Sequence, residues 1–223
     1  MSQIAYANNE TGLSEYSGTS GTVARNSSSP LHGSYDLQLD TNAINFAYFT
    51  ISKTDIYIGF EIRIPSIAAL AQYSSVVVAQ VYFANYTYAN LTLFKSTSGA
   101  GHPNCWGFAG ASTASTTTAA GRHWVTMHIV CNSATVSGYD LYVDGTLIKS
   151  NFALDWSART SITRIAVGVP TGATSSTYTF NFDELWIDDA TRPSDPDEPS
   201  GASAVAKIMQ SMDQFGGGQL CVR

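Results

Sequence analysis

Between Tyr82 and Asn90 the chain reads Tyr-Phe-Ala-Asn-Tyr-Thr-Tyr-Ala-Asn, three tyrosines and two asparagines within nine residues. Aromatic faces flanked by amides and hydroxyls are the groups that grip a sugar, whose C–H face stacks and whose hydroxyls need hydrogen-bond partners. Tyr82, Tyr86 and Tyr88, joined by Trp106 from the stretch His102-Pro-Asn-Cys-Trp106, are therefore the candidate glycan-binding residues. The competing reading is packing, because Tyr and Trp favour strands and every second strand residue faces inward.

Groups for bond-breaking are sparser. A retaining glycoside hydrolase needs two carboxyl groups about 5 Å apart, which a strand supplies from residues i and i+2, or i and i+4. The pattern Glu-x-Asp-x-x-Glu is absent, while Glu184 and Asp188 share a face by strict alternation, with Trp186 between them. They fall at the end of the last strand, a rim position. The four histidines, His32, His102, His123 and His128, form no His-x-His or His-Glu-x-x-His motif, so no metal-hydrolase site is indicated. There is no Gly-x-Ser-x-Gly nucleophile turn. No catalytic residue is assigned, and the expectation is a non-enzymatic protein. Cys105, Cys131 and Cys221 are an odd set without Cys-x-x-Cys spacing; Cys105 and Cys131 are either bridged or two buried free thiols.

The elements that must carry these residues are strands. From Tyr35 to Asp188 apolar residues recur at period two, most cleanly at Ile56, Ile58, Phe60, Ile62 and Ile64, closed by Pro65. Such a strand hides one face against a second layer. Asp144-Gly145 is a hairpin signal, and only Ser66–Gln72 within this region reads as a helical turn. The fold class expected is all-β, a two-sheet antiparallel jelly-roll β-sandwich over residues 1–190, with an extended C-terminal arm carrying a short helix.

Composition agrees. Charged residues are 13% of the chain, about half of the usual ~25%. The net charge is −6 with no basic run, which argues against a nucleic-acid partner. No apolar run of about 18 residues could cross a membrane as a helix. The first residues lack the basic and apolar regions of a secretion signal, so folding in a cytoplasm is expected. After Asp189 the chain turns Pro-rich, and residues 191–201 read as an extended linker. Residues 202–223 form the arm, where Val205, Ile208, Met209 and Met212 fall at helical spacing, followed by Phe215 and three glycines. That stripe is the candidate partner-binding surface, since so short a helix needs something to pack on. Its own sandwich and a neighbouring subunit are both open as that support.

Five segments in order carry a likeness: Glu10-Thr-Gly-Leu-Ser-Glu-Tyr-Ser-Gly-Thr-Ser-Gly21, His32-Gly-Ser-Tyr-Asp-Leu-Gln-Leu39, Gly121-Arg-His-Trp124, Leu141-Tyr-Val-Asp-Gly145 and Phe182-Asp-Glu-Leu-Trp-Ile187. Over residues 8–189 the chain resembles the concanavalin A-like lectin/glucanase superfamily, in particular its laminin-G-like jelly-roll modules. The resemblance implies a structural Ca²⁺ held through Glu10 and Asp183, although Asn9 and Leu13 replace an aromatic and an Asp common in relatives. Catalytic members of the superfamily include glycoside hydrolases and polysaccharide lyases. Alternation places Phe182, Glu184 and Trp186 on one face, with Asp183, Leu185 and Ile187 on the other. The function expected is a structural or adhesion protein of a virus particle, such as a bacteriophage. It would be capsid-decorating or tail-associated, folded in the host cytoplasm and assembled on neighbouring virion subunits through its arm, with surface glycans as further partners. The alternative is a carbohydrate-binding module or lectin from a secreted bacterial protein, hence extracellular.

Overall fold

In the computed structural model, which describes residues 3–65, 75–94, 105–108, 111–112, 120–152, 154–170 and 178–193, alternation organises nearly everything. The strands are β1 (Gln3–Ala7), β2 (Gly18–Ser20), β3 (Ala24–Asn26), β4 (Asp36–Asp40), β5 (Asn45–Lys53), β6 (Asp55–Ile64), β7 (Ser75–Phe83) and β8 (Tyr88–Phe94). They continue as β9 (Cys105–Phe108), β10 (Ala111–Ser112), β11 (Gly121–Val130), β12 (Gly138–Val143), β13 (Thr146–Asn151), β14 (Ile162–Val169) and β15 (Thr179–Asp188). A 3₁₀ turn spans Leu13–Glu15. The five apolar residues of β6 are each at most 2% exposed, as period two requires of a strand with one buried face.

Two antiparallel sheets face each other. One runs β13-β12-β11-β6-β15-β4-β3, with β1 also on β15; the other runs β10-β9-β8-β7-β14-β5-β2. The inward residues of both make one core, including Ile58, Phe60, Met127, Leu141 and Phe182 from the first sheet and Phe49, Val81, Leu91, Phe108 and Ile165 from the second. Each such side chain, once hidden, adds about 1.5–3 kcal/mol relative to exposure, so register is fixed by which face is apolar. The jelly-roll sandwich expected from the sequence is what the chain forms.

Local signals behave accordingly. Asp144 and Gly145 both take positive φ, 50° and 75°, and Val143 pairs with Thr146 across them; a tight hairpin demands this backbone, which glycine adopts freely. Cys131 is a buried free thiol, and burial pushes its pKa up to about 11. Ser66–Gln72 and the arm with Val205, Ile208, Met209, Met212 and Phe215 lie outside the described residues.

One expectation fails in β15. Its pairing with β6 slips between Asp183 and Trp186, and Glu184 sits at φ 49°. A bulge inserts one residue and resets the phase of everything after it. Phe182, Leu185 and Ile187 therefore all reach the core, and Glu184 and Asp188 are not spaced by uninterrupted alternation. Asp188 is buried and accepts the amide hydrogens of Ala190 and Thr191 at 2.7 and 2.9 Å. Glu184 accepts the Tyr6 phenol.

The outer faces differ. Over the first sheet, the Arg192 guanidinium lies 4.3 Å from the centre of the Tyr142 ring, and Pro193 packs where a side chain on Gly59 would stand. Near β15, the His32 amide reaches Asp183. On the second sheet Tyr88 is 51% exposed, and Thr50 is exposed beside half-buried Tyr48, Tyr82 and Arg164.

Candidate functional site

Strand β14 reads Ile-Thr-Arg-Ile-Ala-Val-Gly-Val, and its fully buried Ile165 and Val167 leave Arg164 and Ala166 on the outward parity. Pairing puts Arg164 opposite Tyr82 of β7 and Thr50 of β5, and Ala166 opposite Gln80 and Tyr48. The Arg164 guanidinium lies 3.6 Å from the centre of the Tyr82 ring and 5.3 Å from that of Tyr48. An aromatic on each side holds a planar cation and still leaves N–H groups for a ligand. One row further, Gln80 faces Asn90 of β8 and Tyr82 faces Tyr88. Gln80 Nε2 donates to Asn90 Oδ1 at 2.6 Å, and the Tyr82 and Tyr88 rings are 6.2 Å apart. Burial raises the Tyr82 pKa, with Arg164 opposing, so the phenol keeps its proton at neutral pH. A cation, two amides and three phenols thus share one sheet face. That set can recognise a carboxylate and a sugar ring, and can hand a proton to a leaving oxygen.

Three of the four glycan-binding candidates belong here: Tyr82 and Tyr88 on the face, and Tyr86 in the β7–β8 connection, 97% exposed. Trp106 does not. It is wholly buried and paired with Leu93 of β8, on the opposite parity to Asn90 and Thr92, so its ring is core. Of the other residues on this face, Asn90 closes the Tyr82–Asn90 stretch singled out in the sequence, whereas Arg164, Tyr48 and Gln80 carry no local motif. The available signal was a lone cation at the outward parity of an otherwise apolar strand.

The surroundings of Glu10 and Asp183 decide whether the pair can hold calcium. Asp183 Oδ1 accepts from Asn9 Nδ2 at 3.0 Å and the Glu184 amide at 2.9 Å, and Oδ2 from the His32 amide at 3.1 Å. Glu10 Oε1 accepts the Ser34 and Tyr35 amides at 2.6 and 3.0 Å. The neighbouring carbonyls of Asn9 and Glu10 accept from the Arg25 guanidinium at 2.8 and 2.7 Å, itself stacked 3.9 Å over Tyr35. Calcium needs six to eight oxygens, and here the oxygens already face N–H donors and a fixed positive charge. Among the described residues no three His, Cys, Asp or Glu converge as a metal cluster. Glu10 and Asp183 do not fit a cation; Arg25 occupies that role. The melting temperature should be the same in millimolar calcium and in chelator. Arg25→Ala should cost about 1.5–3 kcal/mol, the worth of a hydrogen bond to a charged group, by denaturant titration.

Asp183 carries its own pH signature. Burial pushes its pKa up to about 7; the amides of Glu184, Asn9 and His32 oppose this, and the charge of Glu184 adds to it. The unfolded carboxyl ionises near its ordinary value while the folded one still holds a proton, so between these pH values the folded state binds more protons. Stability from this group therefore falls as pH rises from about 4 to 7. Melting curves of Asp183→Asn against wild type should shift in the variant's favour across that window.

No protein-family model matches the chain, and no curated protein matches it significantly in sequence. Solved structures do. An endo-β-1,4-glucuronan lyase from the fungus Trichoderma reesei aligns with a TM-score of 0.62 and 14% identity, covering 88% of this chain and 100% of that one. An alginate lyase in complex with an alginate trisaccharide aligns at 0.58 and 12% identity, covering 85% and 99%. A cellulose-induced protein aligns at 0.57 and 13% identity, covering 86% and 100%. These neighbours correct two expectations, the virion structural protein and the absence of enzymatic character. Nothing among them supports a phage particle, and the fold they share is one on which polysaccharide lyases are built. Paired carboxylates, metal-binding histidines and a nucleophile turn, all absent from the sequence, are requirements of hydrolysis that elimination does not share. At this identity the likeness establishes the fold alone: two antiparallel sheets packed as a jelly-roll sandwich.

Proposed function

We propose that the chain acts on acidic, uronate-bearing polysaccharides, binding them across the outer face of the second sheet and cleaving them by β-elimination. The observation that carries this is Arg164, held between Tyr82 and Tyr48 on a sheet face beside the Gln80–Asn90 amide pair. Elimination passes the proton next to the carboxylate to a base, here solvent water on the open face, forms the carbon–carbon double bond and breaks the bond to the glycosidic oxygen, while charge builds on the carboxylate. A guanidinium fork matches the two carboxylate oxygens, and fixed donors aimed at developing charge are the strongest catalytic device available. Asn90, its amide fixed by the buried Gln80, adds hydrogen bonding, and the protonated Tyr82 phenol serves as the proton donor to the leaving oxygen. The substrates named for two neighbours, glucuronan and alginate, are both polyuronates, which supports the reading.

The test is incubation with glucuronan, with alginate and with a neutral glucan, following the ultraviolet absorbance of the new carbon–carbon double bond. Absorbance should grow with a polyuronate alone. Neither absorbance nor binding on any polyuronate would overturn the proposal. A second reading, binding without cleavage, has one observation in its favour: among the described outward residues of this sheet none is His, Asp or Glu. It would show as retention on immobilised polyuronate with no absorbance change.

A further inference from the structure

We infer that Tyr86 is a stacking platform for a sugar ring beyond the Arg164 row, so that the face takes an oligosaccharide rather than a single uronate; this rests on the reading of that face as a glycan site. Tyr86 stands at φ 61°, the left-handed region that glycine and asparagine tolerate and an aromatic residue occupies at a cost. It is also 97% exposed, so its ring gains almost nothing from packing. The turn is made without that ring. Phe83 N–H bonds Thr87 O at 2.9 Å, Tyr86 N–H bonds Phe83 O at 3.1 Å and Ala84 N–H bonds Ser161 O at 2.9 Å, while Thr87 Oγ1 donates to Asn85 Oδ1 at 2.6 Å. Only the backbone of residue 86 is used, and a glycine would supply it without the strain.

A side chain that costs backbone strain and stabilises nothing in the fold is explained by what it contacts outside it. Its place supplies the candidate. Arg164, Tyr82 and Tyr88 stand side by side on three adjacent strands, and Tyr86 stands two residues before Tyr88, in the turn that joins β7 to β8. The ligand class is a pyranose unit of the same acidic chain, recognised by its C–H face against the ring, while Arg164 reads the carboxylate. The turn's hydrogen bonds hold that ring on a fixed mount.

The experiment compares wild type, Tyr86→Gly and Tyr86→Phe in calorimetric titrations with a uronate disaccharide and a uronate hexasaccharide, together with their melting temperatures. Tyr86→Gly should melt no lower than wild type, bind the hexasaccharide about tenfold more weakly, the size of one ring contact, and bind the disaccharide unchanged. Tyr86→Phe should bind both as wild type does. Equal hexasaccharide affinity in Tyr86→Gly overturns the platform, as does equal weakening at both lengths with a lowered melting temperature, which would mean a structural role. Failure of the underlying reading is visible separately, as wild type binding neither oligosaccharide, and it removes the platform too.

Discussion

Arg164→Ala should lower kcat/KM on a polyuronate by about 10²–10³-fold, the usual consequence of removing one fixed donor from a developing charge. The fold should barely register the change. Arg164 is half-buried at the surface, and what it gives the sandwich is stacking on Tyr82 and Tyr48, about 0.5–1 kcal/mol for an exposed contact. Loss of activity without loss of structure is thus the signature. Arg164→Lys sharpens it, since lysine keeps the charge but loses the planar fork and the flat ring contact; it should restore affinity more than turnover. Salt gives a third readout: wild-type affinity should weaken with ionic strength, and Arg164→Ala should be less sensitive, because screening acts on the charge pair. An Arg164→Ala protein with full binding and turnover would move the site off this face altogether.

How much of this could be read beforehand depends on what each feature requires. The β6 face and the Asp144-Gly145 turn were legible because local rules fix them: alternation decides inside from outside, and a two-residue hairpin needs positive φ. The bulge at Glu184 was not legible. Strict period two put Glu184 with Phe182 and Trp186, whereas the inserted residue sends Leu185 and Ile187 inward together with Phe182. A bulge depends on register against β6, more than a hundred residues away in the chain.

The same limit governs the site. Tyr82, Tyr86 and Tyr88 stand close in sequence and were found. Arg164 meets Tyr82 and Tyr48 only through the pairing of β14 with β7 and β5, which no local pattern announces. The resemblance points to Glu10 and Asp183, which do come into one region, yet Arg25, from a third segment, takes the carbonyls beside Glu10. The proposed function also has a different chemical trace. Hydrolysis leaves paired carboxylates in a sequence, while elimination beside a uronate draws on a cation, amides and phenols, which look like ordinary strand residues until register gathers them.

Trp106→Ala should cost about 3–5 kcal/mol, the range for truncating a buried tryptophan, against a typical whole-domain stability of only about 5–15 kcal/mol. Were its ring a sugar platform, the same change would weaken binding and leave stability alone. The structure requires the reverse, because Trp106 is fully buried and paired with Leu93. A denaturant titration separates the cases: the midpoint should fall sharply with an unchanged slope, which reports lost stability rather than a changed unfolded state. Binding should fail too, but only in proportion to the unfolded fraction. Leu91 and Leu93 of β8 pack inward next to Trp106 and Phe108, and the same strand turns Asn90 and Thr92 outward toward the site. Trp106→Phe removes the confusion. It leaves a smaller void, should lose well under half as much stability, and while folded should bind a polyuronate as wild type does. A folded Trp106→Phe protein with impaired binding would place the indole at the ligand after all, and with it the register of β9 against β8 would have to change.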